Sequence, residues 1–324
     1  MRTDFIISEG KLCAFEGDGT VQVFITPTSE EKSLLTDAFG IDIHNLDSAL
    51  DNDEVSRIEN DEGALAIFFK RPKNYISSDR LLFQVVNMGL FIFPDKLIAI
   101  LPDDAPLLEE KYNNRIKDLT DALLRILGSI TNHFLSHLKI INMLSDSLEN
   151  KLTTTLDNHY LLNLFTLEKS LVFFLNGISG NGLVLKRLSN ISSRLSFHED
   201  QSDLLEDIII ENQQSLKQAE ISSDIHTSMM DARGSIISNN QNQLIKKLTV
   251  INVVFMPLNL IAAIGGMSEY TNFTAQIPWP ISYSFFGLGL VFLGFMTYNI
   301  LKFTGREPAR VRGRQSGKNP RIQW

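Results

Sequence analysis

From Leu248 to Met267 large apolar side chains dominate, but a polar or small residue returns at steps of three and four. Thr249, Asn252, Met256, Asn259, Ala263 and Gly266 form this stripe, with Met256 its one large apolar member. The segment is uncharged and about 20 residues long, enough to cross a hydrocarbon core of about 30 Å. The same steps run backward through Ile245, Asn242, Ser238, Ser235, Asp231, Ser228 and Asp224. A coiled-coil seam carries Leu, Ile or Val at such positions. This one is hydroxyl, amide or carboxylate, or small at Ala263 and Gly266, with Ile245 and Met256 excepted, over about 12 turns. Identical helices meeting along it would enclose water, so the pattern reads as an oligomeric conduit. Two other readings stay open. Asp224 to Asn242 could be a solvated surface helix leading into an anchor. Within the span, Asn252 and Asn259 could join helices without conduction, since lipid does not solvate amides.

A helix is predicted from Asp203 to about Ile264, some 60 residues and roughly 90 Å. Pro257 lies inside it and is expected to loosen one turn by freeing a carbonyl. A second apolar run, Ile281 to Phe303, is charged only at Lys302. Together the two runs predict a helical hairpin with a loop at Ser268–Pro280.

Upstream, residues 1–103 alternate short β-type and helical stretches. Leu12–Phe15 and Val21–Thr26 flank Glu16-Gly17-Asp18-Gly19, a hairpin pattern. Ser29–Ala38 and Asp47–Ile58 read as helices. Ala64–Lys70, Leu82–Asn87, Leu90–Phe93 and Leu97–Leu101 read as strands. Beyond Pro106 the period becomes helical from Leu107 to Leu152, with Leu119, Leu123, Ile126, Leu127, Ile130, Phe134, Leu138 and Ile141 on one face. A second helix, His159–Gly177, follows antiparallel. The cluster Gly177-Ile178-Ser179-Gly180-Asn181-Gly182 lacks the leading strand and trailing Lys-Ser/Thr of a phosphate loop and is expected to break the helix. Leu183–Arg194 and a polar linker, Phe197–Ser202, complete this part.

Charge sets the topology. Lys246 and Lys247 precede the first span, and Lys302, Arg306, Arg310, Arg312, Arg314, Lys318 and Arg321 lie at the end of the second and beyond it. The loop between the spans has no Lys or Arg, so both termini are expected in the cytoplasm. A basic tail of this kind resembles a nucleic-acid arm, but its place after a span favours anionic lipid over nucleic acid. From Lys302 onward the net charge is +6, which leaves −14 on residues 1–301 against a total of −8. An acidic body concentrates cations. Met1 to Gly10 shows no signal-peptide pattern. Cys13 is the only cysteine, so no disulfide within the chain is expected, as suits a reducing compartment.

Enzyme motifs are missing from the sequence: there is no His-Glu-x-x-His, no Gly-x-Ser-x-Gly and no cysteine pair. His133 and His137 have the i, i+4 spacing of a metal-binding pair, but without an evident third ligand they are read as a helix-surface pair.

Phe255-Met256-Pro257-Leu258 followed by Ile261-Ala262-Ala263-Ile264-Gly265-Gly266-Met267 resembles the first span of the CorA magnesium transporter superfamily. The resemblance covers nearly the whole chain. It implies an α+β membrane protein and a funnel-shaped homopentamer. The parts would be a cytosolic α/β domain (1–103), antiparallel cytosolic helices (104–202), a stalk helix (203–247), a pore-lining span (248–267), an external loop with the signature (268–280), a second span (281–303) and a basic tail (304–324). It implies divalent cation transport, Mg²⁺ with Co²⁺ or Ni²⁺ as companions, in a cytoplasmic (inner) membrane. No cofactor is implied beyond the transported or regulatory ion. A zinc transporter of the same superfamily, a poorly selective channel and a non-conducting membrane scaffold are the rivals.

On this resemblance Asn242 lies at the cytoplasmic pore mouth, Leu248 and Met256 are constrictions, and Asn259 takes the place of a pore-facing Thr. Ile245, Thr249, Asn252 and Ala263 complete the lining. Asp224 and Asp231 are funnel acids, and Asp207 is a stalk aspartate that shares a regulatory cation with a neighbouring copy. Gly266, Met267 and Ser268 stand at the signature, with Ser268 where the family has Asn and Gly265 where it has Tyr. Ser is shorter, so a ring of five is wider and meets fewer waters around a hydrated ion; Mg²⁺ dehydrates reluctantly. Glu269 is the loop's only acid and implies a charged ring at the outer mouth. Ser48 stands where a regulatory Asp is expected, with Asp47 beside it.

Overall fold

The computed structural model describes residues 1–61, 63–74, 81–154, 158–193 and 195–304. Seven strands come first: β1 (Arg2–Ser8), β2 (Lys11–Phe15), β3 (Val21–Ile25), β4 (Arg57–Asp61), β5 (Ala64–Pro72), β6 (Val85–Ile92) and β7 (Leu97–Leu101). Two helices, α1 (Ser29–Asp37) and α2 (Ile43–Leu50), lie between β3 and β4. Three long helices follow, α3 (Leu119–Thr154), α4 (Asn158–Ile191) and α5 (Glu199–Gly265), then α6 (Ser268–Phe273) and α7 (Trp279–Thr304). Two compact units divide between Met230 and Asp231, inside α5.

The strands form one sheet in the order β2-β1-β3-β7-β6-β5-β4, antiparallel except where β3 runs parallel to β7. Alternation along each strand sends successive side chains to opposite faces. Phe24, Ala66, Phe68, Phe91, Ile98 and Ile100 pack with Leu35 of α1 and Leu46 and Ala49 of α2. On the other face Val23, Ile67, Phe69, Met88, Leu90 and Ala99 join the main core with α3, α4 and the start of α5. Phe134 and Phe174 meet edge-on there, centroids 5.2 Å apart; such pairs add about 0.5–1.5 kcal/mol beyond their burial.

Local chemistry sets the helix starts. Thr28 caps α1 in a reciprocal box, its hydroxyl accepting from Glu31 N–H at 3.3 Å while Glu31 Oε2 accepts from Thr28 N–H at 2.8 Å. Asp118 starts α3 by accepting from Asp121 N–H at 2.8 Å. Gln201 then ties the first turn of α5 to both acids, donating to Asp118 and to Asp121 Oδ1 at 3.0 Å.

Several expectations are corrected. β2 and β3 are not a hairpin: β1 lies between them and pairs with both. The connection 16–20 therefore passes the end of β1, where Asp18 binds Arg2 at 2.8 Å and Lys96 at 2.8 Å. Asp47–Ile58 is not one helix. Asp42 caps α2 early through His44 N–H, and an Asx turn at Asp51–Asp53 ends the helical stretch before β4 pairs with β5. Leu82–Asn87 and Leu90–Phe93 are a single strand, β6. Leu107–Lys117 is not helical apart from one 3-10 turn at Glu110–Tyr112.

The glycine cluster does not break α4, which runs through it. A Cβ at Gly177 would come within 3.1 Å of Val85, one at Gly180 within 3.0 Å of Ser56, and one at Gly182 within 2.9 Å of Asn212. These glycines let α4 approach the sheet and α5 closely, and that packing outweighs a helix-propensity cost of about 1 kcal/mol each.

Candidate functional site

α5 continues through Pro257, and its last third packs against α7 in the second unit. Val254, Pro257, Leu258 and Ile261 are half-buried, and Gly265 is buried. A Cβ on Gly265 would lie 2.4 Å from the Phe286 ring, so any larger residue there displaces that ring. Leu258 lies against Gly294, and Tyr283 Oη donates to Gly265 O at 3.4 Å. Tyr270 completes this contact, with its ring 5.1 Å from Phe286 and 5.7 Å from Tyr283 and its hydroxyl 3.0 Å from Ser282 Oγ. The aromatic cluster is not apparent from sequence because its members belong to two separate helices, Tyr270 to α6 and Tyr283 and Phe286 to α7.

The opposite side of α5 is bare. At about 100° per residue, the predicted stripe centres roughly 170° away from the face that α7 covers. Asn242, Ile245, Leu248, Thr249, Asn252, Met256, Asn259, Ala263, Gly266, Met267 and Ser268 are all exposed, as are Asp224 and Asp231. Hydroxyls along the stripe bond back one turn: Ser228 to Asp224 O at 2.8 Å, Ser235 to Asp231 O at 3.2 Å and Thr249 to Ile245 O at 2.8 Å. Each thereby satisfies its own proton and leaves acceptor lone pairs outward. Asn252 and Asn259 make no hydrogen bond among the described residues, so both amides remain available.

Ser268 opens α6 instead of lying in an extended loop, with Met267 just before the first turn. Glu269 falls in the same helix; its side chain lies outside the described ones, as does the basic tail from Arg306 onward. Asp207 is exposed on α5. Asp47 is on α2 and pairs with Lys32 Nζ at 3.1 Å. Ser48 donates to Glu54 Oε2 at 2.9 Å and accepts from Arg57. Among the described residues no three His, Cys, Asp or Glu side chains are grouped to hold a metal ion.

The His133–His137 pair is not on the helix surface. His137 is buried and His133 half-buried, with the two Nε2 atoms 3.1 Å apart. Cys13 is exposed in β2.

A sequence profile of the CorA-like Mg²⁺ transporter protein family matches residues 23–303. The chain belongs to that family. Its members are membrane transporters of divalent cations, not enzymes. A cobalt/magnesium transport protein CorA of Methanocaldococcus jannaschii is 27% identical over 247 residues, 75% of this chain and 77% of that protein. The complete structure of the CorA magnesium transporter from M. jannaschii superposes with a TM-score of 0.73 at 22% identity, covering 94% of this chain and 97% of that one. The full-length CmaX protein gives 0.63 at 15% identity, with coverage of 90% and 89%. At these identities the structural likeness concerns the fold.

Proposed function

We propose that this chain assembles as a homopentamer around the bare stripe of α5 and conducts divalent cations across the cytoplasmic membrane. Mg²⁺ is the first substrate, with Co²⁺ and Ni²⁺ as companions. The observation that carries this reading is the position of the stripe, polar or small and opposite the side of α5 that α7 covers. A face bearing free amides at membrane depth needs water or another copy of itself.

Two spans serve this reading, the C-terminal third of α5 and α7. α4 is also long and apolar enough to cross a membrane. Its Leu164, Leu167, Leu171, Phe174, Ile178 and Leu185, however, are buried in the core beside the sheet. Burial accounts for its hydropathy. With Lys246 and Lys247 before the first span and the basic tail after the second, both termini lie in the cytoplasm and the tail meets anionic lipid.

In this arrangement Asn242 marks the inner mouth, Leu248 and Met256 the narrow points, and Asn252 and Asn259 line the path between and beyond them. Ser268 and Glu269 stand at the outer mouth, and Asp224 and Asp231 gather cations below. Asp207 faces Asp47 of a neighbouring copy across a regulatory ion. A zinc reading draws on Ser268, which replaces the Asn that would grip the water shell of Mg²⁺.

Flux measured in proteoliposomes with Mg²⁺, Zn²⁺ and K⁺ tests the proposal. Uptake of Mg²⁺ well above that of K⁺ supports it. Preference for Zn²⁺ moves the assignment to the zinc branch, and no flux of any ion overturns conduction in favour of a scaffold.

A further inference from the structure

His133 and His137 stand one turn apart on α3, on the side that faces the sheet. Phe83 lies edge-on to the His137 ring at 5.5 Å, and Phe174 stacks on it at 6.1 Å. The two Nε2 atoms lie 3.1 Å apart, with the ring centroids at 4.4 Å and the planes at 69°. Two Zn–N bonds of about 2.0–2.1 Å in a tetrahedral site place their nitrogens roughly 3.3 Å apart. The contact therefore has a chelate's nitrogen spacing to within a few tenths of an ångström, and rotation of the two rings would aim both lone pairs at one ion. His133 also lines a cavity of about 120 Å³ with Glu109, Ser129, Asn74 and Arg71. Glu109 is pinned there because its N–H donates to Ser129 Oγ at 3.1 Å, one turn before His133. A water needs only about 10–15 Å³ of such space, so the cavity can hold a metal's remaining water ligands.

We propose that His133 and His137 form a binding site for a late first-row divalent cation, Zn²⁺, Cu²⁺, Ni²⁺ or Co²⁺, in the sheet-bearing unit and apart from the α5 stripe. Both imidazole nitrogens ligate the ion, water fills its other positions, and Glu109 bonds to that water from the cavity wall. Imidazole suits these ions and not Mg²⁺, which prefers oxygen. An ordinary imidazole is mostly neutral at pH 7 and so able to ligate. In the empty pair one Nε2 carries the proton of the contact; on binding, that ring holds its proton on Nδ1 instead, and none is lost. Arg71 brings a positive charge to the cavity, but its partner Asp103 offsets it. Metal binding would staple α3 to the Glu109 loop.

The test uses the full-length protein in detergent with Cu²⁺ as probe and excess Mg²⁺ to occupy oxygen sites. Pulsed electron paramagnetic resonance should show one Cu²⁺ per chain bound by two imidazoles. H133Q and H137Q should each lose that two-imidazole signature, Zn²⁺ in large excess should displace the Cu²⁺, which such sites hold more tightly, and further Mg²⁺ should not. E109Q should weaken Cu²⁺ binding about 10-fold while keeping the signature, as loss of an outer ligand partner does. Should H137Q fail to fold, the half-buried H133Q decides alone. A wild-type protein without the two-imidazole signal, or variants that retain it, overturn the site. No flux is measured, so either result leaves the transport proposal standing.

Discussion

Asn181 of α4 takes the place of an absent strand beside Lys70 of β5. Its Oδ1 accepts from Lys70 N–H at 2.8 Å, and its Nδ2 donates to the Lys70 carbonyl at 2.7 Å. β4 pairs with β5 only as far as Phe68, so beyond that point the β5 backbone needs another partner. Asn113 serves the outer edge of β2 in the same way, bonding Leu12 N–H at 2.7 Å and Leu12 O at 3.0 Å. At each of these places an amide pairs backbone groups that no neighbouring strand reaches.

Asn181→Ala removes both partners from buried backbone groups. Each unpaired group costs about 1–3 kcal/mol, so stability should fall by roughly 2–6 kcal/mol, or about 5–20 °C in Tm. Thermal unfolding of the full-length protein measures it. A shift near zero would mean that water replaces the amide.

The bare face of α5 should meet other copies. With Cys13 replaced by Ser, single cysteines at Asn252 and Asn259 should cross-link between chains and react with small water-borne thiol reagents. Cysteines at Val254 and Ile261, on the face toward α7, should react much more slowly. Equal labelling at all four positions would remove the basis for a pore face.

Replacing both Asp224 and Asp231 by Asn removes two charges per copy, ten from the proposed pentamer. Flux should drop at low ionic strength and recover in part at high salt, where the field is screened within about 10 Å or less. Indifference to salt in both proteins would mean that these acids lie away from the ion path.

Ser268 offers one small acceptor where Asn offers a longer carbonyl arm and two donors. Ser268→Asn should raise the preference for Mg²⁺ over Zn²⁺ and K⁺, and Ser268→Ala should lower divalent uptake, with assembly checked by native mass. Unchanged ratios in both variants would shift the filter to Asn259 or Asn252.

His226 supplies a pH dependence in the sheet-bearing unit. It is 3% exposed on α5, with Asp146 of α3 and Glu168 of α4 as its acidic neighbours. Burial lowers its pKa from the usual 6.5, and the two acids pull it partly back. The unfolded chain therefore takes up the proton first, and stability is full above about pH 6.5 and declines as pH falls below it. His226→Gln should flatten the slope of Tm against pH between 7.5 and 5. Parallel slopes for the two proteins would place the acid sensitivity elsewhere.

Local pattern alone determined the elements whose signal repeats over many residues. The helix predicted from Asp203 starts at Glu199 and ends at Gly265, and α1, β5 and β7 lie close to where their patterns placed them. The polar stripe was legible because the 3.6-residue period turns sequence spacing directly into a face. Tertiary structure decided what spacing does not encode. The order of β1, β2 and β3 is set by long-range pairing, and Arg2–Ser8, though longer than β2 or β3, groups its polar and apolar residues instead of alternating them and so did not announce itself. The run from Gly177 to Gly182 has the composition of a break, yet it stays helical because Val85, Ser56 and Asn212 occupy the space that side chains would fill. His133 and His137 fit a surface pair by spacing, and only the packing of α3 on the sheet buries them. Which side of α5 stays bare was settled by Phe286 and Gly294, residues distant in sequence, because α7 can approach only where Gly265 leaves room.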